Sequence, residues 1–145
     1  MEYFADSTGI DDDVQLAMIK LRYPNHKLPA SYLPGVVGKV NQWYFSRGIR
    51  GGNPWGMDIA PIPFTEIISN RHRNEVKEVN AKYKRSEITK DEWYDEQVIL
   101  YGTSPNYIND VVSWHSSPIL EVHGKGWVVT QNSIYLLGDQ DLRYD

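Results

Sequence analysis

The C-terminal part of this sequence restricts the fold more than any other stretch. It contains three short runs of apolar and β-branched residues, over Pro118–His123, Trp127–Gln131 and Ile134–Leu137, separated by turn-forming residues. Short runs bounded by Gly, Asn and Ser are typical of strands joined by tight turns, so we predict a three-stranded antiparallel sheet. Strands this short cannot form a stable sheet alone, and helices or another protein must cover their apolar face.

The turns of this predicted sheet have their own chemistry. Gly124-Lys125-Gly126 is a turn sequence, and the side chains of Thr130 and Ser133 can satisfy backbone groups at the next turn. We expect Trp127 and Tyr135 to pair across neighbouring strands. The hairpin is therefore predicted to hold the fold together, although an exposed edge strand there could recruit a partner by strand addition.

Two helices are predicted in the first third of the chain. The first runs from about residue 11 to about residue 23, with aspartates at its start and a proline after its end. Four of its apolar residues recur at helical spacing and are predicted to lie on one face of the helix; they are Val14, Ala17, Met18 and Leu21. The second helix is predicted over about residues 35–45, although Gly35 and Gly38 each weaken it by about 1 kcal/mol relative to Ala.

A helical hairpin is predicted next, over residues 65–84 and 89–101. Thr65 can cap the first of these helices. The start of the second is the clearest local signal in the chain, because Thr89 is followed three residues later by Glu92 in a capping box. The chain is therefore predicted to be an α+β single domain over residues 1–145. Its helical part covers about residues 11–101, and its small three-stranded β part covers about residues 114–138.

Composition narrows the class of protein. The chain has 145 residues, a length that fits one domain. It has no cysteine, which excludes disulfides and thiolate zinc sites and suits a reducing cytoplasm. No apolar stretch is long enough to span a membrane, and the acidic N-terminal segment does not resemble a secretory signal. The net charge of −4 makes a general nucleic-acid binder unlikely, since phosphate neutralisation needs a basic surface.

One loop carries the features of an anion site. Residues 46–64 are rich in glycine and proline, and glycines allow backbone N–H groups to approach a phosphate or carboxylate that two arginines could also bind. The spacing matches neither a P-loop nor a dinucleotide fingerprint. The alternative is a purely structural connection that needs positive φ at several glycines. The candidate ligand-binding residues are Arg47, Arg50, Gly51, Gly52 and Asn53.

The predicted helical hairpin has a strong charge asymmetry. Residues 71–85 contain six basic residues against two acidic ones, whereas residues 87–96 contain five acidic residues against one basic one. Ion pairing between the two arms is one interpretation, and a docking face for a partner of complementary charge is the other. Trp55 is added to the predicted docking set because Trp is enriched at interfaces. The candidate partner-binding residues are Arg71, Arg73, Lys77, Lys82, Lys84, Arg85 and Trp55.

The sequence contains no recognised catalytic or metal-binding pattern. There is no G-x-S-x-G motif, and Ser116 and Ser117 beside His115 would point alternately on a strand. His115 and His123 would share a face only on a continuous strand, which Pro118 interrupts. We therefore predict no catalytic residue, no metal and no cofactor, and we favour a binding protein, with an enzyme left open as an alternative.

The predicted sheet also carries a family resemblance. Residues 114–119, WHSSPI, and residues 129–136, VTQNSIYL, resemble the W-x-[ST]-S-x-[IV] and T-x-[NS]-S-x-Y-x-L strands at the ends of small bacteriophage and mobile-element proteins. The resemblance implies a viral or mobile-element source and no particular activity.

Three functions remain open at this stage. The first is a non-enzymatic protein-binding module of phage type in the host cytoplasm, which inhibits a host defence system by occluding a host or viral protein. The second is a virion or assembly protein, which would form homo-oligomers. The third is a small-ligand or nucleotide-binding protein that uses the Arg/Gly-rich loop 47–54.

Overall fold

The computed structural model describes residues 2–4, 12–29, 37–47, 61–106 and 113–144. The helices in these ranges are α1 (Asp12–Arg22), α2 (Phe64–Ile67), α3 (Asn70–Lys84), α4 (Lys90–Asp95) and a 3-10 helix (Leu142–Tyr144). The strands are β1 (Glu2–Phe4), β2 (Lys39–Val40), β3 (Tyr44–Arg47), β4 (Pro61–Ile62), β5 (Val98–Thr103), β6 (Ser113–His115), β7 (Glu121–His123), β8 (Trp127–Val129) and β9 (Ile134–Leu137).

The predicted C-terminal meander is confirmed, but it is the centre of a larger sheet. Strands β7, β8 and β9 are antiparallel neighbours, and β1 and β2 add to the two edges in parallel, which gives the order β1-β7-β8-β9-β2. Gly124 adopts φ 54° in the first turn, and the Thr130 hydroxyl donates to the Ser133 carbonyl in the second. Strands β8 and β9 each have a neighbour on both sides, so neither is an edge strand of this sheet.

The expected pairing of Trp127 with Tyr135 is wrong. Trp127 lies opposite Leu136, and Tyr135 lies opposite Val128. Side chains alternate between the faces of a strand, so this register places the two aromatic rings on opposite faces of the sheet. The Tyr135 ring instead contacts Trp114 of β6, with 4.6 Å between ring centroids.

A second sheet overturns the predicted fold class. Strands β4, β3, β5 and β6 form a four-stranded antiparallel sheet, so the protein is a mixed α+β structure with two sheets rather than one small C-terminal sheet. The predicted helix over residues 35–45 is wrong, since this region holds β2 and the start of β3. The helix predicted over residues 89–101 ends at Asp95, and its second half is the strand β5. β5 is a continuous apolar run buried on both faces, whose sequence spacing does not distinguish a strand from a buried helix.

The two sheets share one hydrophobic core. Val122 and Val128 of the first sheet meet Phe45 and Leu100 of the second in a single buried cluster. Trp43 is 1% exposed within this cluster, and its indole N–H donates to the Gly138 carbonyl at 3.0 Å. The indole therefore contributes buried apolar area while its one polar group remains satisfied.

Asn41 joins the two sheets just before Trp43. Its backbone exchanges hydrogen bonds with Thr103 of β5, and its side-chain oxygen accepts from the Asp139 backbone N–H at 2.9 Å. Gly102 and Gly138 face this junction, where a Cβ on Gly102 would lie 2.7 Å from the Asn41 carbonyl oxygen. The chain crosses between sheets here because both glycines leave room for the Asn41 segment.

Helix α1 is confirmed, and it packs through the side opposite the predicted apolar face. Ile19 is 1% exposed and packs against Trp127 and Ile134 on the outer face of the first sheet. The four residues of the predicted apolar face lie on the opposite side of the helix, in contact with solvent; they are Val14, Ala17, Met18 and Leu21. Both sides of α1 carry apolar residues at helical spacing, so periodicity alone could not select the packed side.

The helical hairpin forms in a shorter version than predicted. Thr89 and Glu92 make the expected capping box at the start of α4, which confirms that prediction. The predicted cap at Thr65 is wrong, because Thr65 lies inside α2, and Ser69 caps α3 by accepting from the His72 backbone N–H. None of the helices in the described part of the chain is long and apolar enough to cross a membrane.

Candidate functional site

Helix α3 is the element that presents the predicted partner-binding charges. Its first turn is fixed by the Ser69 cap, and its inner side is anchored by Val76 in the core that both sheets share. Its last turns are held by α4, because the Trp93 indole and the Gln97 amide both donate to the Asn80 side-chain oxygen, at 2.9 and 3.2 Å. The outer surface of α3 is therefore a rigid support for its charged side chains.

One side of α3 neutralises its own charges. Arg71 pairs with Glu75 at 3.2 Å, and Lys82 pairs with Glu78 at 3.5 Å, each one helical turn apart. Beyond the helix end, Arg85 donates to Glu87 through two nitrogens. Arg71, Lys82 and Arg85 are therefore each paired with an acid on the same helix or just beyond its end. This sets them apart from the other three predicted basic residues.

The other side of α3 carries the remaining bases without acids between them. Arg73, Lys77 and Lys84 follow each other at four and seven residues, and this spacing places them along one flank of the helix. Neither Lys77 nor Lys84 forms an ion pair with another described residue, and Arg73 donates to the Asn70 side-chain oxygen at 2.6 Å. We refer to Arg73, Lys77 and Lys84 as the basic stripe.

The acidic arm of the hairpin lies across a shallow cleft from α3. Glu92 is held in the capping box, and Glu96 is held by an ion pair at 3.2 Å with Arg47, so these two carboxylates are already engaged. The cleft has a volume of about 370 Å³, and its lining combines two apolar with four charged residues; they are Val79, Lys82, Ile88, Glu92, Asp95 and Glu96. No ion pair between α3 and α4 occurs among the residues that the structure describes, so pairing between the arms does not account for their opposite charges.

Among the candidate ligand-binding residues of the predicted anion loop, Arg47 is the one that lies in the described ranges. It ends β3, and its guanidinium lies 3.2 Å from the Glu96 carboxylate and 3.9 Å from that of Glu75. The two carboxylates already neutralise the charge of Arg47. Through these ion pairs, Arg47 links α3 and the end of α4 to the second sheet. The other candidate residues lie outside the described ranges; they are Arg50, Gly51, Gly52, Asn53 and Trp55.

His72 is a buried polar residue that the sequence reasoning did not single out. It is 1% exposed, and neither ring nitrogen has a hydrogen-bond partner. Burial lowers its pKa, the Arg47 charge lowers it further, and Glu75 and Glu66 oppose the shift. Its spacing is the sequence signal that could have identified it. His72 precedes Val76 by four residues, so both side chains lie on the same side of the helix.

The remaining histidines do not form a site together. His115 lies on β6 in the second sheet, whereas His123 lies on β7 in the first and stacks on Trp127 with ring centroids 3.5 Å apart. Within the described ranges there is no cluster of three or more His, Asp or Glu side chains that could hold a metal ion.

The comparisons with known proteins give no further indication. No family model, no curated protein and no solved structure matches this chain.

Proposed function

We propose that this protein is a non-enzymatic protein-binding module that docks the basic stripe of α3 onto an acidic surface of another protein. It acts by occluding that surface. The observation that carries the proposal is the separation of charge on α3, where paired bases occupy one side and Arg73, Lys77 and Lys84 occupy another.

The physical setting of the stripe supports a docking role. Surface bases that are already paired with neighbouring acids have little charge to offer a partner, whereas a stripe of bases along one flank attracts complementary charge and accelerates encounter. Helix α3 is fixed at both ends, by Ser69 and by the Asn80 contacts with α4, so little backbone order is lost when a partner binds.

The class of partner follows from the resemblance of residues 114–119 and 129–136 to bacteriophage and mobile-element proteins. We propose a protein of a host defence system in the host cytoplasm, inhibited by occlusion. The chain's net charge of −4 favours a protein partner over nucleic acid, since phosphate neutralisation needs a basic surface.

A pair of charge-matched variants tests this proposal. Lys77→Gln/Lys84→Gln removes two charges from the stripe, and Arg71→Gln/Lys82→Gln removes two charges from the paired side of the same helix. We expect wild type and the paired-side variant to capture the same stoichiometric protein from host lysate, and the stripe variant to lose it.

Titration of that partner then measures the effect. The stripe variant should bind the partner at least about tenfold more weakly than the wild type does. Its affinity should also depend less on salt concentration, because the variant lacks two of the charges that salt screens. Equal losses in both variants, or no loss in either, would refute docking through the basic stripe.

A further inference from the structure

Helix α1 exposes an apolar face that no described part of the chain covers. Val14 is 49% exposed, Met18 51% and Leu21 87%, and exposed Ala17 lies between them at helical spacing. We refer to these four residues as the α1 apolar face. Isolated exposed apolar residues are ordinary, but a contiguous stripe of them on a fixed helix is typical of an interaction surface.

The charges along α1 indicate which surface fits this face. The helix sequence begins with Asp12-Asp13 and has Lys20 and Arg22 in its last turn. Arg22 pairs with Glu121 at 3.3 Å, on the side toward the first sheet. A helix that is acidic at one end and basic at the other is complementary to a copy of itself in the opposite direction, in which the helix dipoles are also opposed.

We propose that α1 pairs with α1 of a second copy of this chain, antiparallel, about a two-fold axis close to Ala17 and Met18. In this register Val14 lies opposite Leu21 of the second copy. Ala17, the smallest of the four residues, lies at the centre, where a small side chain permits close approach of the two helices. The contact is isologous, so each pairing occurs twice.

The same register pairs charges beside the apolar contact. Lys20 lies seven residues after position 13, two turns along the helix, so the two positions share a flank. A two-fold axis perpendicular to the helices brings the last turn of α1, which carries Lys20, toward the acidic start of α1 in the second copy. These opposite charges define the direction of the helix pair, because parallel helices would place like charges together.

The small size of the α1 apolar face predicts a weak association between the two copies. Four apolar residues are far fewer than the roughly 20–30 residues per partner of a standard interface, so the dimer is weak and dependent on concentration. This surface lies on a different helix from the basic stripe, and self-association can fail or succeed independently of the proposed function. Self-association would also support the alternative role in assembly.

Sedimentation velocity of the full chain from roughly 10 μM to 1 mM tests the association over the range expected for a weak contact. We expect the wild type to shift from monomer toward dimer, and Leu21→Glu to remain a monomer throughout. The matched control is Leu142→Glu, because Leu142 is 75% exposed but lies in the 3-10 helix, away from α1. A monomeric wild type, or equal self-association in all three proteins, would overturn the proposal.

Single cysteines test the direction, since the chain has none of its own. Ala17→Cys should form a disulfide-linked dimer on mild oxidation. Val14→Cys and Leu21→Cys should each crosslink poorly alone and well when mixed. Efficient crosslinking of Val14→Cys alone would contradict the antiparallel arrangement. Binding of anionic phospholipid vesicles by a wild type that stays monomeric, lost in Leu21→Glu, would assign the face to a membrane surface and refute the dimer.

Discussion

The burial of His123 predicts a specific loss of stability in acid. Its side chain is 7% exposed and stacks on the Trp127 ring with an interplanar angle of 7°. Burial and then the Arg22 charge lower the pKa of His123 to about 4. Glu121 lies 3.4 Å from the imidazole, but its carboxylate is also paired with Arg22 at 3.3 Å, so it does little to favour the protonated ring.

The sign and size of the effect follow from linkage. In the unfolded chain the pKa of this histidine returns to about 6.5, so below that pH the unfolded state binds a proton that the native state does not. Stability from His123 is therefore fully present above about pH 6.5 and is lost as the pH falls toward 4. With these pKa values the loss is about 1.4 kcal/mol at pH 5.5 and about 2.5 kcal/mol at pH 4.5.

Urea denaturation between pH 7.5 and 4.5 measures this loss. The comparison is between the wild type and His123→Phe, which keeps an aromatic ring against Trp127 and removes the titrating group. Other groups titrate in both proteins, so the difference in free energy of unfolding isolates His123. We expect that difference to move in favour of the variant by about 2.5 kcal/mol from pH 7.5 to 4.5. A difference that is constant with pH would refute the assignment of His123 as a histidine held neutral by burial.

Two further substitutions test local features of the fold. Gly102→Ala should destabilise the protein by about 1–3 kcal/mol, because the new Cβ would lie 2.5 Å from Val40 Cγ1 and 2.7 Å from the Asn41 carbonyl. An unchanged urea midpoint would show that the junction of the two sheets is looser than described. Thr89→Ala should cost about 1 kcal/mol through loss of the capping box and lower the thermal midpoint by about 3 °C, as calorimetry would detect. A thermal midpoint equal to that of the wild type would mean that the box adds no stability.

The candidate site was predictable only in part. The six bases of residues 71–85 were evident from the sequence, and so was their helix. The i,i+4 spacing of Arg71 with Glu75 and of Lys82 with Glu78 is present in the sequence, whereas the side of α3 that faces solvent is decided by the packing of Val76 into the core. The engagement of Arg47 by Glu75 and Glu96 joins residues far apart in the chain, and no local pattern indicates it.

Local chemistry determined the features that the sequence predicted correctly. The capping box of Thr89 and Glu92, the helix after Asp12 and the turns of the meander each depend on neighbouring residues, so they can be recognised without the rest of the chain. Tertiary structure decided what depends on burial. Residues 98–103 are a central strand because β3 and β6 provide backbone partners on both sides. Both sides of α1 are apolar, and the sheet packs against only one of them because Trp127 and Ile134 lie beside Ile19.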